Sequence, residues 1–220
     1  MKILREYEKK CIFDRDFTPS KSMKKRQIGI FSGSFNPIHV GHVILGNYMR
    51  EFTCLDEVWF VVTPHNPLKT TNELFDDDVR LHMVRLALSD FEHLQASDVE
   101  FQLPRPSYTI DTLTFLKNSH PDTDFTLIIG GDNWTNFHLW KSYEQLRREF
   151  PILIYPRLGE EITIPKEFQK NVQVVSAPIM GISSTFIRNS IKVGKNVRAF
   201  VPEEVWKFIE EKGVSMGLCK

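Results

Sequence analysis

Between residues 28 and 52 an apolar run, a glycine-bearing loop and a helical pattern follow one another, and few folds can accommodate that unit. The run Ile28-Gly29-Ile30-Phe31 is short, apolar and bounded by turn residues, which is how a buried strand reads. Gly33, Asn36, Pro37 and Gly41 then mark a loop. Beyond His42, apolar residues recur at Ile44, Leu45, Tyr48, Met49 and Phe52, close to the helical period of about 3.6. The loop therefore carries two histidines, His39 and His42, from a strand end to a helix start. Unpaired N–H groups and a partial positive charge make such a start suited to phosphate.

The same alternation continues along the chain. Residues 57–63 are almost wholly apolar, as a strand covered on both faces requires. A proline-rich loop at 64–69 cannot be helical. Residues 75–89 are predicted to be a helix capped by Asp76 or Asp77, with Val79, Met83, Leu86 and Ala87 facing inward. A third strand, or a pair of short ones, is expected at 94–101, then a helix opening near Arg105 with Ser107 as its cap. Residues 125–129 form a strand ending in Gly130-Gly131-Asp132. Ser142-Tyr143-Glu144-Gln145 has capping-box spacing and starts a helix reaching about Arg148. Strands at 151–155 and 171–176 precede two helices, 183–192 closed by Gly194 and 202–212 closed by Gly213. Strands alternating with helices predict an α/β fold, a doubly wound parallel sheet in a single domain. Such sheets bind ligands beyond the strand C-termini, where the glycine, proline and serine clusters fall.

At 220 residues the chain suits one domain with a real core. Lys plus Arg and Asp plus Glu are equal at 28 each, so no global field favours a nucleic acid polymer or an anionic membrane. The charge is uneven, with nine basic against four acidic residues in 1–26. Cys11, Cys54 and Cys219 show no paired spacing, which predicts free thiols in a cytoplasmic protein. No apolar run approaches the roughly 18 residues of a membrane span, and no signal-peptide pattern is present. Residues 1–22 show no sustained period and are set apart as an N-terminal extension to a domain at 23–220. Met23 is one candidate start; an arm packing through Ile3, Leu4 and Tyr7 is the other reading.

A lone His-x-x-His is compatible with two ordinary loop histidines, and a zinc site would need a third ligand that stands at no recognisable spacing. Three apart, the imidazoles share one helical face and could donate to a phosphoryl group. In Gly181-Ile182-Ser183-Ser184-Thr185-Phe186-Ile187-Arg188, three hydroxyls open a helix with a guanidinium one turn on. Alone, this reads as a serine-capped helix with a surface arginine. The plain alternative for Asp132 is a helix cap, and for Lys69 and Arg80 a solvated surface charge. Phe137 and Trp140 read as core, whereas Trp134, two residues past Asp132, is placed beside a ligand.

Together these stretches carry a resemblance. Gly33-Ser34-Phe35-Asn36-Pro37-Ile38-His39-Val40-Gly41-His42 resembles the signature of the nucleotidyltransferase superfamily, whose Rossmann-like fold and His-x-Gly-His motif are shared with class I aminoacyl-tRNA synthetases. Ser32 stands where most members have a second glycine. Residues 182–188 are similar to the Ile-Ser-Ser-Thr-x-Ile-Arg of bacterial nicotinate-nucleotide adenylyltransferases, as are 64–69, 106–113 and 130–140 to other segments of that family. The resemblance implies transfer of the adenylyl group of ATP to nicotinate mononucleotide, giving nicotinate adenine dinucleotide and pyrophosphate in NAD biosynthesis. It implies His39, His42 and Arg188 as catalytic, and Gly33, Ser34, Phe35, His42, Ser183, Ser184, Thr185 and Arg188 around ATP. Lys69, Ser107, Tyr108, Thr109, Asp132 and Trp134 would hold nicotinate mononucleotide, and Mg2+ would arrive on the ATP phosphates without a protein cage. Transfer to phosphopantetheine or glycerol phosphate, and a non-catalytic nucleotide-binding module, are the competing readings. The chain lacks the length for a tRNA-ligating enzyme.

Overall fold

The structure is a computed structural model that describes residues 25–64 and 74–213. The expectations for 1–22, Met23 and Lys69 fall outside the described residues. Six strands form one sheet: β1 (Arg26–Gly33), β2 (Glu57–Val62), β3 (Leu94–Ser97), β4 (Thr123–Gly130), β5 (Ile152–Tyr155) and β6 (Val172–Val174). All pairings are parallel, in the order β3-β2-β1-β4-β5-β6. The predicted doubly wound parallel sheet is thus observed. The strand order reverses at β1, which lies between β2 and β4, with Ile30 level with Trp59 and Leu127. A crevice opens at that point because the following connections leave for opposite faces.

Alternation along the central strands builds two cores. Phe31, Val58, Phe60, Val62 and Ile128 face one layer, with buried residues of α1 (Val40–Phe52), α2 (Asp77–Leu88), α6 (Ser184–Lys192) and α7 (Glu203–Lys212) packed on it. Ile28, Ile30, Phe125, Leu127 and Ile129 face the other, against α3 (Thr109–Ser119) and α5 (Tyr143–Glu149). Gly46 lets α1 lie directly on β2, since a Cβ there would overlap the Phe60 ring. The short α4 (Gly131–Thr135) leaves β4 without an intervening loop.

Four local expectations are corrected. Only Leu94–Ser97 is strand; Val99–Gln102 turns into a 3₁₀ helix that buries Val99 and Glu100. Ser107 does not cap α3: Tyr108 holds that position in extended backbone, and the Ser107 hydroxyl is buried. Ser142 precedes α5 with φ 53° and makes no capping hydrogen bond, so the capping-box spacing there goes unused. Left-handed backbone turns its hydroxyl away from the first-turn N–H groups. Cys54 is disulfide-bonded, against the free-thiol expectation, because separation in sequence carries no information about approach in space. Cys11 and Cys219 lie outside the described residues.

Candidate active site

A cavity of about 880 Å³ opens at the C-terminal ends of the central strands. It lies at the upper end of the roughly 300–1,000 Å³ typical of small-molecule sites. Gly33, Ser34, Phe35, His39 and His42 line it from the β1–α1 connection, and Ser183, Ser184, Thr185 and Arg188 from the start of α6. Ser107, Tyr108 and Thr109 line it from the start of α3, and Asp132 from α4. Segments up to about 150 residues apart in sequence thus meet at one crevice, through the strand-end rule that predicted it.

The β1–α1 loop is built around its aromatic rings. Phe35 has φ 43°, an unfavourable value for a bulky residue, and is held there by burial against Phe31 and Phe60. Its ring also abuts His42 edge-on at 5.1 Å. His42 Nδ1 accepts the His39 backbone N–H at 3.2 Å. In the neutral imidazole this leaves the hydrogen on Nε2, so His42 is set as a donor through that atom. The His39 ring stacks on His42 with centroids 3.6 Å apart. Gly41 permits this, because a Cβ there would press within 3.1 Å of His39 Nδ1.

Burial, reinforced by the Arg157 guanidinium, lowers the His39 pKa to about 4. His39 is therefore neutral at physiological pH, and its Nδ1 has no hydrogen-bond partner among the described residues. A histidine whose folded pKa lies below the ordinary 6.5 contributes stability above that value, lost as pH falls through 6.5 towards 4. The full span amounts to about 3 kcal/mol. Denaturant unfolding at pH 7.5, 5.5 and 4.5 should show the parent losing stability relative to His39→Asn, which does not titrate. Parallel losses in the two proteins would contradict the shift.

The start of α6 grips the same loop. Ser184 Oγ donates to the Pro37 carbonyl at 2.9 Å, and Arg188 Nη1 donates to the Asn36 carbonyl at 2.8 Å. Ser183 Oγ caps the helix by accepting from the Phe186 N–H at 3.1 Å. The Ser184 hydrogen is therefore spent on the protein, while Ser183 and Thr185 keep hydroxyl hydrogens for a ligand.

The structure does not bring Trp134 into the cavity. Its indole N–H donates to the Thr163 carbonyl at 3.1 Å and its ring stacks on Phe137. Trp140 packs against the core and Phe137 as expected, and it also lines the cavity, with a buried Nε1 that has no partner among the described residues. The turn of α4 carries Trp134 away from the strand end, and the 3₁₀ turn Phe137–Leu139 brings Trp140 back. Arg80 is not a solvated charge: it is 0% exposed and donates to the carbonyls of Ser34, Thr63, Pro64 and Phe75.

Among the lining residues that sequence reasoning passed over are Arg157 and Glu100. Arg157 follows β5 and places Nε 3.4 Å from Asp132 Oδ1, giving the cavity a cation beside the His39–His42 stack. Its place just past a strand end was the available signal. Glu100, 2% exposed, also lines the cavity, and its only signal was an acidic residue inside an apolar stretch. Among the described residues no group of three His, Cys, Asp or Glu side chains is arranged to hold a metal ion.

The chain matches the cytidylyltransferase-like family over residues 30–190. It is 48% identical over 185 residues to a protein of Flavobacterium johnsoniae named a probable nicotinate-nucleotide adenylyltransferase, covering 84% of this chain and 96% of that one. A Bacteroides fragilis protein of the same name is 50% identical over 187 residues, covering 85% and 92%. Among solved structures, the nicotinic acid mononucleotide adenylyltransferase of Plasmodium falciparum, complexed with NaAD, superposes with a TM-score of 0.70 at 19% identity. That superposition covers 87% of this chain and 98% of the other, and shows the shared fold.

Proposed function

The chain belongs to the cytidylyltransferase-like family and, within it, to the nicotinate-nucleotide adenylyltransferases; from that premise we propose that it transfers the adenylyl group of ATP to nicotinate mononucleotide. The products are nicotinate adenine dinucleotide and pyrophosphate, in NAD biosynthesis. The observation that supports this reading is the convergence of three helix starts, those of α1, α3 and α6, on one cavity beside the stacked His39–His42 pair. Each start supplies N–H donors and a positive dipole end, and the two substrates bring a triphosphate, a phosphate and a carboxylate.

A phosphate oxygen of the mononucleotide attacks the α-phosphorus of ATP. The new O–P bond forms as the bond to the bridging oxygen breaks, and pyrophosphate leaves with that electron pair. No protein nucleophile is needed, so catalysis is positioning plus stabilisation of spreading negative charge. His42 serves through its Nε2 hydrogen, with His39 stacked behind it. Ser183, Thr185 and Arg188 face the β,γ end of ATP, and the Gly33–Ser34–Phe35 backbone approaches the nucleotide. Arg157 adds a cation beside the His39–His42 stack. Mg2+ would come bound to the ATP phosphates and would supply neutralisation of part of their charge; of the cavity acids, Asp132 is already paired with Arg157. Among the described residues no helix is long and apolar enough to cross a membrane. We place the reaction in the cytoplasm, where its nucleotide substrates reside.

Ser107, Tyr108 and Thr109 form the pyridine end of the site, with Trp140 in the role that sequence assigned to Trp134. A carboxylate only accepts, so it matches N–H and O–H donors at a helix start, whereas a carboxamide brings an NH₂ that needs an acceptor. Mispairing a buried polar group costs about 1–3 kcal/mol, so nicotinate mononucleotide should exceed its amide by about tenfold or more in kcat/KM. Pyrophosphate release with saturating ATP measures both. Equal values or a preference for the amide would remove the Ser107–Thr109 assignment. Absence of turnover with either would move the protein to another nucleotidyltransferase branch.

A further inference from the structure

Among the described residues, Glu100 is the one buried carboxyl of the cavity that the reaction does not use. It sits in the 3₁₀ turn after β3, 2% exposed, and shares the cavity wall with Ser107 and Tyr108. The Thr112 hydroxyl lies 3.1 Å from Oε1 and also 3.3 Å from the Tyr108 carbonyl. Glu100 Oε2 and the buried Ser107 hydroxyl have no partner of hydrogen-bond geometry among the described residues. Nor does Glu100 form an ion pair with any described lysine or arginine, so an ionised carboxylate here would be a buried charge eased by neighbouring hydroxyls alone.

As a neutral acid the group fits its surroundings. Its hydrogen is available to Thr112, which then passes its own to the carbonyl of Tyr108, the residue that begins α3. We propose that Glu100 is a specificity-determining residue of the pyridine subsite: protonated, it lets a nicotinate carboxylate settle at the Ser107–Thr109 helix start, and ionised, it opposes that carboxylate with a like charge. The inference rests on the adenylyl-transfer reading above and deepens it. Burial drives the Glu100 carboxyl up to about 7, against the hydroxyls of Thr112, Thr63 and Ser107, which pull the other way. The change of charge therefore falls inside the working pH range.

The other charged groups around it are committed elsewhere. On its own stretch Asp98 pairs with Arg85, and on α3 Asp111 pairs with Lys141. From α2, Arg80 is taken up by Asp77 and loop carbonyls, while Arg105 also pairs with Asp77. Across the cavity stand His39, His42 and the Asp132–Arg157 pair. Nicotinate mononucleotide and its amide share the phosphate, so titration of the histidines or of the substrate phosphate affects both alike and cancels in their ratio. The carboxylate alone senses Glu100 selectively.

The test is kcat/KM for both mononucleotides, with ATP saturating, from pH 6 to 8.5. The ratio of acid to amide should fall about tenfold across that range in the parent, centred near 7, since one nearby charge moves such equilibria by about a unit or more. In Glu100→Gln, close in shape and without charge, the ratio should be flat. Calorimetry of the parent in buffers of different ionisation enthalpy gives a second readout that needs no variant. At pH 7.5 nicotinate mononucleotide should bind with more proton uptake than its amide. A flat ratio in the parent with the acid still turned over, or equal proton uptake, would overturn the role of Glu100 and leave adenylyl transfer standing. A Glu100→Gln protein that keeps the parental slope would assign the effect to another group. No turnover of the acid at any pH would remove both.

Discussion

Replacing His42 by alanine should lower kcat by about 10²–10³ while leaving the KM for ATP within a few-fold, the mark of an interaction made chiefly in the transition state. The expectation follows from how the ring is held. Its Nδ1 is occupied by the His39 N–H, its faces and edges meet His39, Phe31 and Phe35, and its hydrogen is thereby fixed on Nε2. A donor oriented in advance costs no reorganisation when charge develops, and removing one such donor costs about 2.7–4 kcal/mol of barrier. The substitution also deletes an acceptor for one N–H at the start of α1, an effect on the order of 1 kcal/mol on stability. The two losses separate cleanly, since the first appears in kcat and the second in the melting temperature. A variant within about threefold of the parent in kcat would take His42 out of the chemistry.

The alternation of strands and helices and the place of the crevice were open to sequence reasoning because they depend on local pattern. Buried strands must be apolar throughout, amphipathic helices repeat near 3.6, and a switch point follows from topology. The motif residues of the β1–α1 loop and of α6 converge for the same reason. What stayed hidden depends on partners distant in sequence. Arg80 lies on a helix with Asp77 and Asp78 in its first turn, where an arginine reads as solvated. Its burial is decided by carbonyls of Ser34 and Thr63, contributed by two other strand ends. Trp134 stays out of the cavity and Trp140 joins its wall because a short helix and a 3₁₀ turn, neither with a clear periodic signal, rotate the chain between them. Glu100 hides in a stretch that reads as strand. Ser107 and Ser142 have the spelling of caps, but the backbone angles that would aim their hydroxyls are not written in the spacing.

Arg80→Met should cost about 3–5 kcal/mol of stability, near the value for breaking a buried charge network from one side. Exchange of a buried ion pair for apolar residues is often neutral, but only when both partners leave together. Here the partners cannot leave. Four are backbone carbonyls, reached at 2.7 Å for Ser34, 2.9 Å for Thr63, 3.0 Å for Phe75 and 3.3 Å for Pro64. Methionine fills most of the volume and meets none of them, and each buried acceptor left unpaired costs about 1–3 kcal/mol. The fifth partner, Asp77 at 2.5 Å, retains Arg105 at 2.9 Å and adds little to the loss. At roughly 2–4 °C per kcal/mol for a domain of this size, the melting temperature should fall by on the order of 10 °C. Arg80→Lys should recover only part of it, because three donors on one nitrogen cannot span carbonyls set around a planar fork. The same bonds tie the ends of β1 and β2 to α2, and those ends form the nucleotide side of the cavity. KM for ATP should therefore rise and kcat fall together in the folded fraction of either variant. An Arg80→Met protein melting within about 2 °C of the parent would show that water or neighbouring donors replace the guanidinium.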